Sequence, residues 1–225
     1  MDSKEIDRIF YRDGYRIASQ HLEEQVTAAN LQAGIESLQR GVDDLLEAFL
    51  RRSADEDKPA ACKKGCHWCC HQAVYAVTHE FLHISQYVLK NFTAERRDQS
   101  LKRAQERVLL KHNKSLKEQS HLKSPCPFLE SGSCSIYPVR PMGCRIYLSS
   151  SVSACKREND DPTNDRVFPD LFEFPLRSGR MLNQGFVAYL KQIGFQSSEL
   201  PVEQGYSSLL TLGQTMEGWI ESRNS

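Results

Sequence analysis

Cys62-Lys63-Lys64-Gly65-Cys66-His67-Trp68-Cys69-Cys70 places four cysteines within nine residues, and this density constrains the chain more than any other feature. Thiolates are soft ligands that select zinc, copper(I) or iron-sulfur clusters, and short gaps let one turn aim several sulfurs at a common centre. Gly65 suits such a turn because it takes positive φ without steric cost. Four more cysteines follow, Cys126, Cys134, Cys144 and Cys155, the first three among Pro127, Gly132, Pro138, Pro141 and Gly143. Inert buried thiols have no reason to gather at turn residues, so the pattern points to metal. Eight sulfurs are enough for two four-sulfur sites.

The setting of those thiols matters. The start, Met1-Asp2-Ser3-Lys4-Glu5-Ile6-Asp7, is charged and lacks the apolar core of a secretory signal, and no run approaches the ~20 apolar residues that span a bilayer. A cytoplasmic location, with no membrane partner, is the expectation. A reducing compartment disfavours a disulfide framework and turns clustered thiols toward metal or redox chemistry.

Length (225 residues) and composition (40% hydrophobic, 26% charged) fit one globular core with a helical appendage. Net charge is zero but unevenly spread: residues 1–57 hold 7 Lys/Arg against 13 Asp/Glu, residues 90–123 hold 10 against 4. No aromatic interleaving or recognised nucleic-acid module accompanies the basic stretch. It therefore reads as a solvated helix face able to pair with the acidic N-terminal helix, and a nucleic-acid partner is not expected.

Periodicity predicts helices for most of the chain. Ile6, Ile9, Phe10 and Ile17 have rough helical spacing, with a break or kink expected at Asp13-Gly14. Leu31, Ile35, Leu38, Val42, Leu45 and Phe49 follow at intervals of 4, 3, 4, 3 and 4, a heptad-like stripe that wants a helical partner, within this chain or in another protein. Ser53 to Ala61 reads as a linker, and 73–77 as a buried extended segment. Thr78 and Thr93 look like N-caps of two further helices, the second a surface arm. Residues 124–166 read as loops and turns because of their Pro and Gly content, and two helices close the chain, one through Met181 to Ile193 and one through Leu209 to Ile220.

Within the cluster, Cys66 and Cys69 have the two-residue chelate gap shared by zinc and iron-sulfur sites. Adjacent Cys69 and Cys70 seldom serve one ion together, so one of them is free or belongs to a second centre. His67 and His71 could replace a sulfur but more often orient ligands, and His79 with His83 share a helix face without a third donor. Cys126-Pro127 and the aromatic Trp68 lean toward iron-sulfur, while four-cysteine zinc sites commonly restrain loops of this kind. Cys62-x3-Cys66-x2-Cys69 also has the spacing of radical S-adenosylmethionine enzymes. The succession of strands and helices found in those enzymes is missing here.

Taken together, Cys62-x3-Cys66-x2-Cys69-Cys70, Cys126-Pro127-Phe128-Leu129 and Cys134-x-Ile136-Tyr137-x-x-Arg140-Pro141-x-x-Cys144-Arg145 resemble the YkgJ-type cysteine-cluster family of zinc- or iron-chelating domains, over about residues 60 to 155. The resemblance implies metal chelation by the seven matching cysteines, Cys62, Cys66, Cys69, Cys70, Cys126, Cys134 and Cys144. Cys155 fits the family pattern less closely and joins the ligands as the eighth candidate. Flagellin lysine methylases are similar in carrying such a cluster, which implies methyl transfer from S-adenosylmethionine as an alternative activity. Arg140 and Arg145 are candidates to offset thiolate charge or hold a ligand beside the metal, or to form salt bridges to the acidic N-terminal helix.

The expected fold is mainly α, with helices flanking a loop-rich, metal-stabilised cysteine core. Residues 1–57 would form an N-terminal helical segment. A cysteine-cluster domain over 58–160 would contain a helical insertion at about 78–120, and 161–225 would pack on the same core. The expected function is chelation of an iron-sulfur cluster, or of zinc or iron. A cluster-dependent modifying enzyme using S-adenosylmethionine and a structural zinc module for partner binding are the alternatives, and no catalytic residue is assigned.

Overall fold

Apolar stripes at helical spacing become helices almost wherever they occur in this chain. The computed structural model describes residues 2–63 and 65–224. The fold is mainly α. In order, the elements are α1 (Ser3–Leu22), α2 (Ala28–Asp55), a 3-10 turn (Trp68–His71), β1 (Tyr75–Val77), α3 (Thr78–Asn91), α4 (Ala94–Lys111), α5 (Leu116–His121), β2 (Leu129–Glu130), β3 (Ser133–Cys134) and a 3-10 turn (Tyr137–Val139). Then come α6 (Met142–Arg145), α7 (Val152–Asp160), α8 (Glu173–Gln192), β4 (Glu199–Pro201), α9 (Val202–Leu212) and α10 (Met216–Glu221).

The two ends of the chain build the scaffold together. α1 lies along α8 and against α2, while α9 packs on α3 and α4. The first part of the α2 stripe is consumed internally: Leu31, Ile35, Leu38 and Val42 are buried in one core with Ala18 and Leu22 of α1 and Leu182 and Phe186 of α8, whereas Leu45 and Phe49 of the expected stripe are half-buried and Leu46, outside it, is buried. Thr27 caps α2 by accepting from the Asn30 N–H at 3.1 Å. Thr93 does the same for α4, accepting from Arg96 N–H at 3.2 Å. The third helix starts one residue earlier than its sequence indicates, with Val77 at the cap and Thr78 in the first turn.

Asp13-Gly14 does not interrupt α1. The glycine is there for a close approach: a Cβ on Gly14 would stand 1.9 Å from the Leu182 carbonyl oxygen, and one on Gly185 equally close to that of Tyr11. Two reciprocal glycines thus let the α1 and α8 backbones touch. Other departures have local causes. α7 forms inside the stretch expected to be loop and turn, because Ser151 caps it at 3.1 Å from Ala154 N–H and no Pro or Gly falls within it. The last predicted helix divides into α9 and α10 at Gly213, where φ is +63°.

The extended segment before α3 is β1, and its partner is the distant β4, antiparallel with Tyr75 opposite Pro201. The basic helix α4 is not a free arm, and its ion pairs go to residues outside the N-terminal helices. Arg96 and Arg103 bind Glu130 at 2.7 and 3.0 Å, and the buried Arg107 and Lys111 converge on buried Glu203 of α9 at 3.5 and 2.5 Å. Nor is its inner face bare, since Ser100 bonds the Tyr206 hydroxyl at 2.7 Å.

Candidate metal centre

Irregular backbone between the helices delivers the thiols. Gly65, at φ +89°, makes the turn that its place between Cys62 and Cys66 predicts, and the Cys66 N–H closes that turn on the Lys63 carbonyl at 2.9 Å. Cys69 and Cys70 sit in the following 3-10 turn. The Cys126 N–H donates to the Cys70 carbonyl at 2.7 Å, and Leu129 N–H to the Cys126 carbonyl at 2.9 Å. Leu129 in turn faces Cys134 across the β2–β3 hairpin. Cys144 lies in α6, and Cys155 in α7, which packs on the 3-10 turn holding Cys69 and Cys70.

All eight cysteines are free thiols. Seven of them, all but Cys155, line one cavity of about 1770 Å³ that continues past Val74, Ile136 and Met142 to Asn183, Val187 and Lys191 of α8. Burial pushes up the thiols of Cys62, Cys134, Cys144 and Cys155, and that of Cys126 to about 11. Cys69 is the exception. It accepts a hydrogen bond from the Cys70 thiol, which lowers it to about 7 and raises Cys70 correspondingly.

Positive charge stands beside part of the cluster. Arg140 lowers Cys69, Cys134 and Cys144 electrostatically, and Arg107 does so for Cys126. Arg140 also lies over the Tyr137 ring, 3.8 Å from its centroid. Arg145 points elsewhere: its guanidinium holds both Asp43 oxygens at 2.6 and 2.7 Å, Gln39 at 2.9 Å and the Pro138 carbonyl. It fastens the cysteine-bearing α6 to α2. Trp68 stacks on His67 and carries Lys156 over its face rather than lining the cavity.

The histidines divide in the same way. His67 and His71 each present Nδ1 to a backbone carbonyl, of Gly65 at 3.3 Å and of His67 at 3.2 Å. His79 and His83 are buried in the helical core, with His79 tilted against Phe186 at 5.0 Å between centroids. Burial holds them down, to about 3 and about 4.

Glu80 is the functional residue that sequence reading underrated. Its position in the first turn of a helix was the visible signal, suited to the helix dipole. In the fold it also reaches across 62 residues to accept the Met142 N–H at 2.6 Å, while its other oxygen takes Val77 N–H at 2.9 Å. One buried carboxylate therefore anchors the start of α3 and the start of the helix that bears Cys144.

These donors fit a soft metal in kind and number: eight reduced thiols from five chain segments, seven of them around one cavity, two arginines close by. Among the described residues no three Cys, His, Asp or Glu side chains stand as a closed ligand set, so binding requires thiol side chains to rotate inward.

A mainly helical scaffold with a thiol cluster on its irregular face is the class of protein defined by this geometry. Within it, residues 61–166 match the CxxCxxCC family model, described as "Putative zinc- or iron-chelating domain". The chain writes the motif with a three-residue first gap, Cys62-x3-Cys66. No curated protein and no solved structure matches the chain.

Proposed function

We propose that this protein chelates metal through its cysteine cluster, as an iron-sulfur cluster or, failing that, as zinc, in the reducing cytoplasm. The observation that carries the reading is the gathering of seven of the eight free thiols around one cavity wall, inside a segment that matches a zinc- or iron-chelating family. Cys62, Cys66, Cys69, Cys70, Cys126, Cys134, Cys144 and Cys155 are the ligands, and Arg140 and Arg107 offset part of their charge. Arg145 serves the site by holding α6 in place. Cys126 followed by Pro127 and the depth of the thiols favour iron-sulfur over zinc. The test is anaerobic purification followed by an absorption spectrum, elemental analysis and acid-labile sulfide on one sample. Brown protein with roughly equal iron and sulfide supports the cluster, colourless protein with zinc supports the zinc form, and protein that takes up neither overturns the reading.

The cavity favours a second reading, a cluster-dependent modifying enzyme. A closed structural site has no use for an adjoining space of about 1770 Å³, whereas a reaction centre needs a place for substrate. S-adenosylmethionine is the candidate co-substrate on this reading. Calorimetry of the metal-loaded protein with S-adenosylmethionine would decide: no binding heat sinks it.

A further inference from the structure

We propose that the eight cysteines form two adjacent four-thiol metal sites, one of Cys70, Cys126, Cys134 and Cys144 and one of Cys62, Cys66, Cys69 and Cys155, which meet at the Cys69–Cys70 peptide. This rests on the metal-chelating reading above and divides its ligands.

The backbone gives the division. Cys70, Cys126 and Cys134 are tied by one run of main-chain contacts: the Cys126 N–H on the Cys70 carbonyl at 2.7 Å, then Leu129 N–H on the Cys126 carbonyl, then the Leu129–Cys134 pair of the hairpin. Cys144 joins this hairpin set through α6. Next to it, Gly143 lies so close to the Tyr75 carbonyl that a Cβ would sit 3.4 Å away, just past the 3-10 turn that carries Cys70. In electrostatic terms Cys70 feels Cys69, Cys126 and Cys144, and Cys144 feels Cys126, Cys69 and Cys134.

The other set is organised by Ser149. Its N–H donates to the Cys62 sulfur at 3.3 Å and its carbonyl accepts the Cys62 thiol at 3.8 Å. Cys155 reaches the cluster from α7, which packs directly on the 3-10 turn. Cys62 feels Cys66, Cys69 and Cys155, and Cys155 feels Cys66 and Cys69. Cys69 touches both sets. It completes the Ser149 set because Cys70 already supplies the hairpin set's fourth sulfur, and successive residues of a 3-10 turn project about 120° apart.

Both sets have charged neighbours. A divalent ion with four thiolates carries a net charge of about −2, so nearby cations stabilise it. Arg107 and Arg140 stand by the hairpin set together with Glu203 and Glu130, while Arg140 also acts on Cys69 and Glu158 on Cys155.

Titration of the full-length reduced chain with cadmium-113, a thiolate-seeking probe, tests this by NMR. The wild type is expected to take roughly two ions and to show two resonances typical of sulfur ligation. Cys70→Ser should remove one resonance and Cys69→Ser the other, although the residues are neighbours. Loss of the same resonance from both variants, or saturation of the wild type at one ion, overturns the division while leaving metal chelation standing. A wild type that binds no cadmium overturns both. Should either variant fail to fold, the wild-type stoichiometry and the paired variants Cys126→Ser and Cys155→Ser carry the same test.

Discussion

The Glu80 carboxylate accepts the backbone N–H of Met142 at 2.6 Å, so a residue in the first turn of α3 holds the N-terminus of the short helix that carries Cys144. Glu80 is buried, and removal of its carboxylate strands the Val77 and Met142 N–H groups in a dry environment. Glu80→Ala is expected to destabilise the chain by about 2–4 kcal/mol. It should also weaken metal uptake more than an equally destabilising change remote from α6. Denaturant melts of metal-free protein together with cadmium titration check this, and a variant of unchanged affinity would remove Glu80 from the site's support.

Gly14 and Gly185 fix how closely α1 and α8 approach. Gly14→Ala places a methyl 1.9 Å from the Leu182 carbonyl oxygen, a clash that only backbone movement relieves. A loss of roughly 2–4 kcal/mol is expected, seen as a lowered Tm, with each metal site still loading at saturating metal. A Tm within one degree of the parent would mean that α1 is not held by this contact.

In metal-free reduced protein, Cys69 should be the first cysteine alkylated near neutral pH. The Cys70 thiol that bonds it lowers it to about 7, while burial raises Cys62 despite its exposed side chain. Timed iodoacetamide labelling read by peptide mass spectrometry checks the order. Cys70→Ser retains a hydroxyl donor and should change the rate modestly; Cys70→Ala removes the donor and should slow Cys69 several-fold at pH 7. Equal labelling of Cys62 and Cys69 would contradict the hydrogen bond.

Stability of the metal-free chain should fall on acidification below about pH 6.5. Burial depresses His79 to about 3 and His83 to about 4, so between those values and the unfolded value of 6.5 the unfolded chain binds more protons than the native one. Linkage then gives a stability that rises with pH, by about 1.4 kcal/mol per pH unit for each histidine within that window. Above pH 6.5 neither contributes. Denaturant midpoints at pH 7, 6 and 5.5 with chelator present should show the slope, and His79→Leu should reduce it by about half. An unchanged slope in that variant would mean His79 is not the group responsible.

Local chemistry made much of this protein legible in advance. The spacing of Leu31, Ile35, Leu38 and Val42 determined a helix with one apolar face, Thr93 determined where another helix begins, and four cysteines in nine residues determined a site for soft metal, because each of these depends on groups a few residues apart. The tertiary structure decided what those groups meet. It placed Gly14 against Leu182 where the sequence reads as a helix break, and turned the basic α4 toward Glu130 and Glu203 instead of the acidic N-terminal segment. It also aimed Arg145 at Asp43 while leaving Arg140 beside the thiols. Such pairings join residues up to about 170 positions apart, and they are selected by which faces remain to be buried once the helices have formed. No spacing along the chain records that choice.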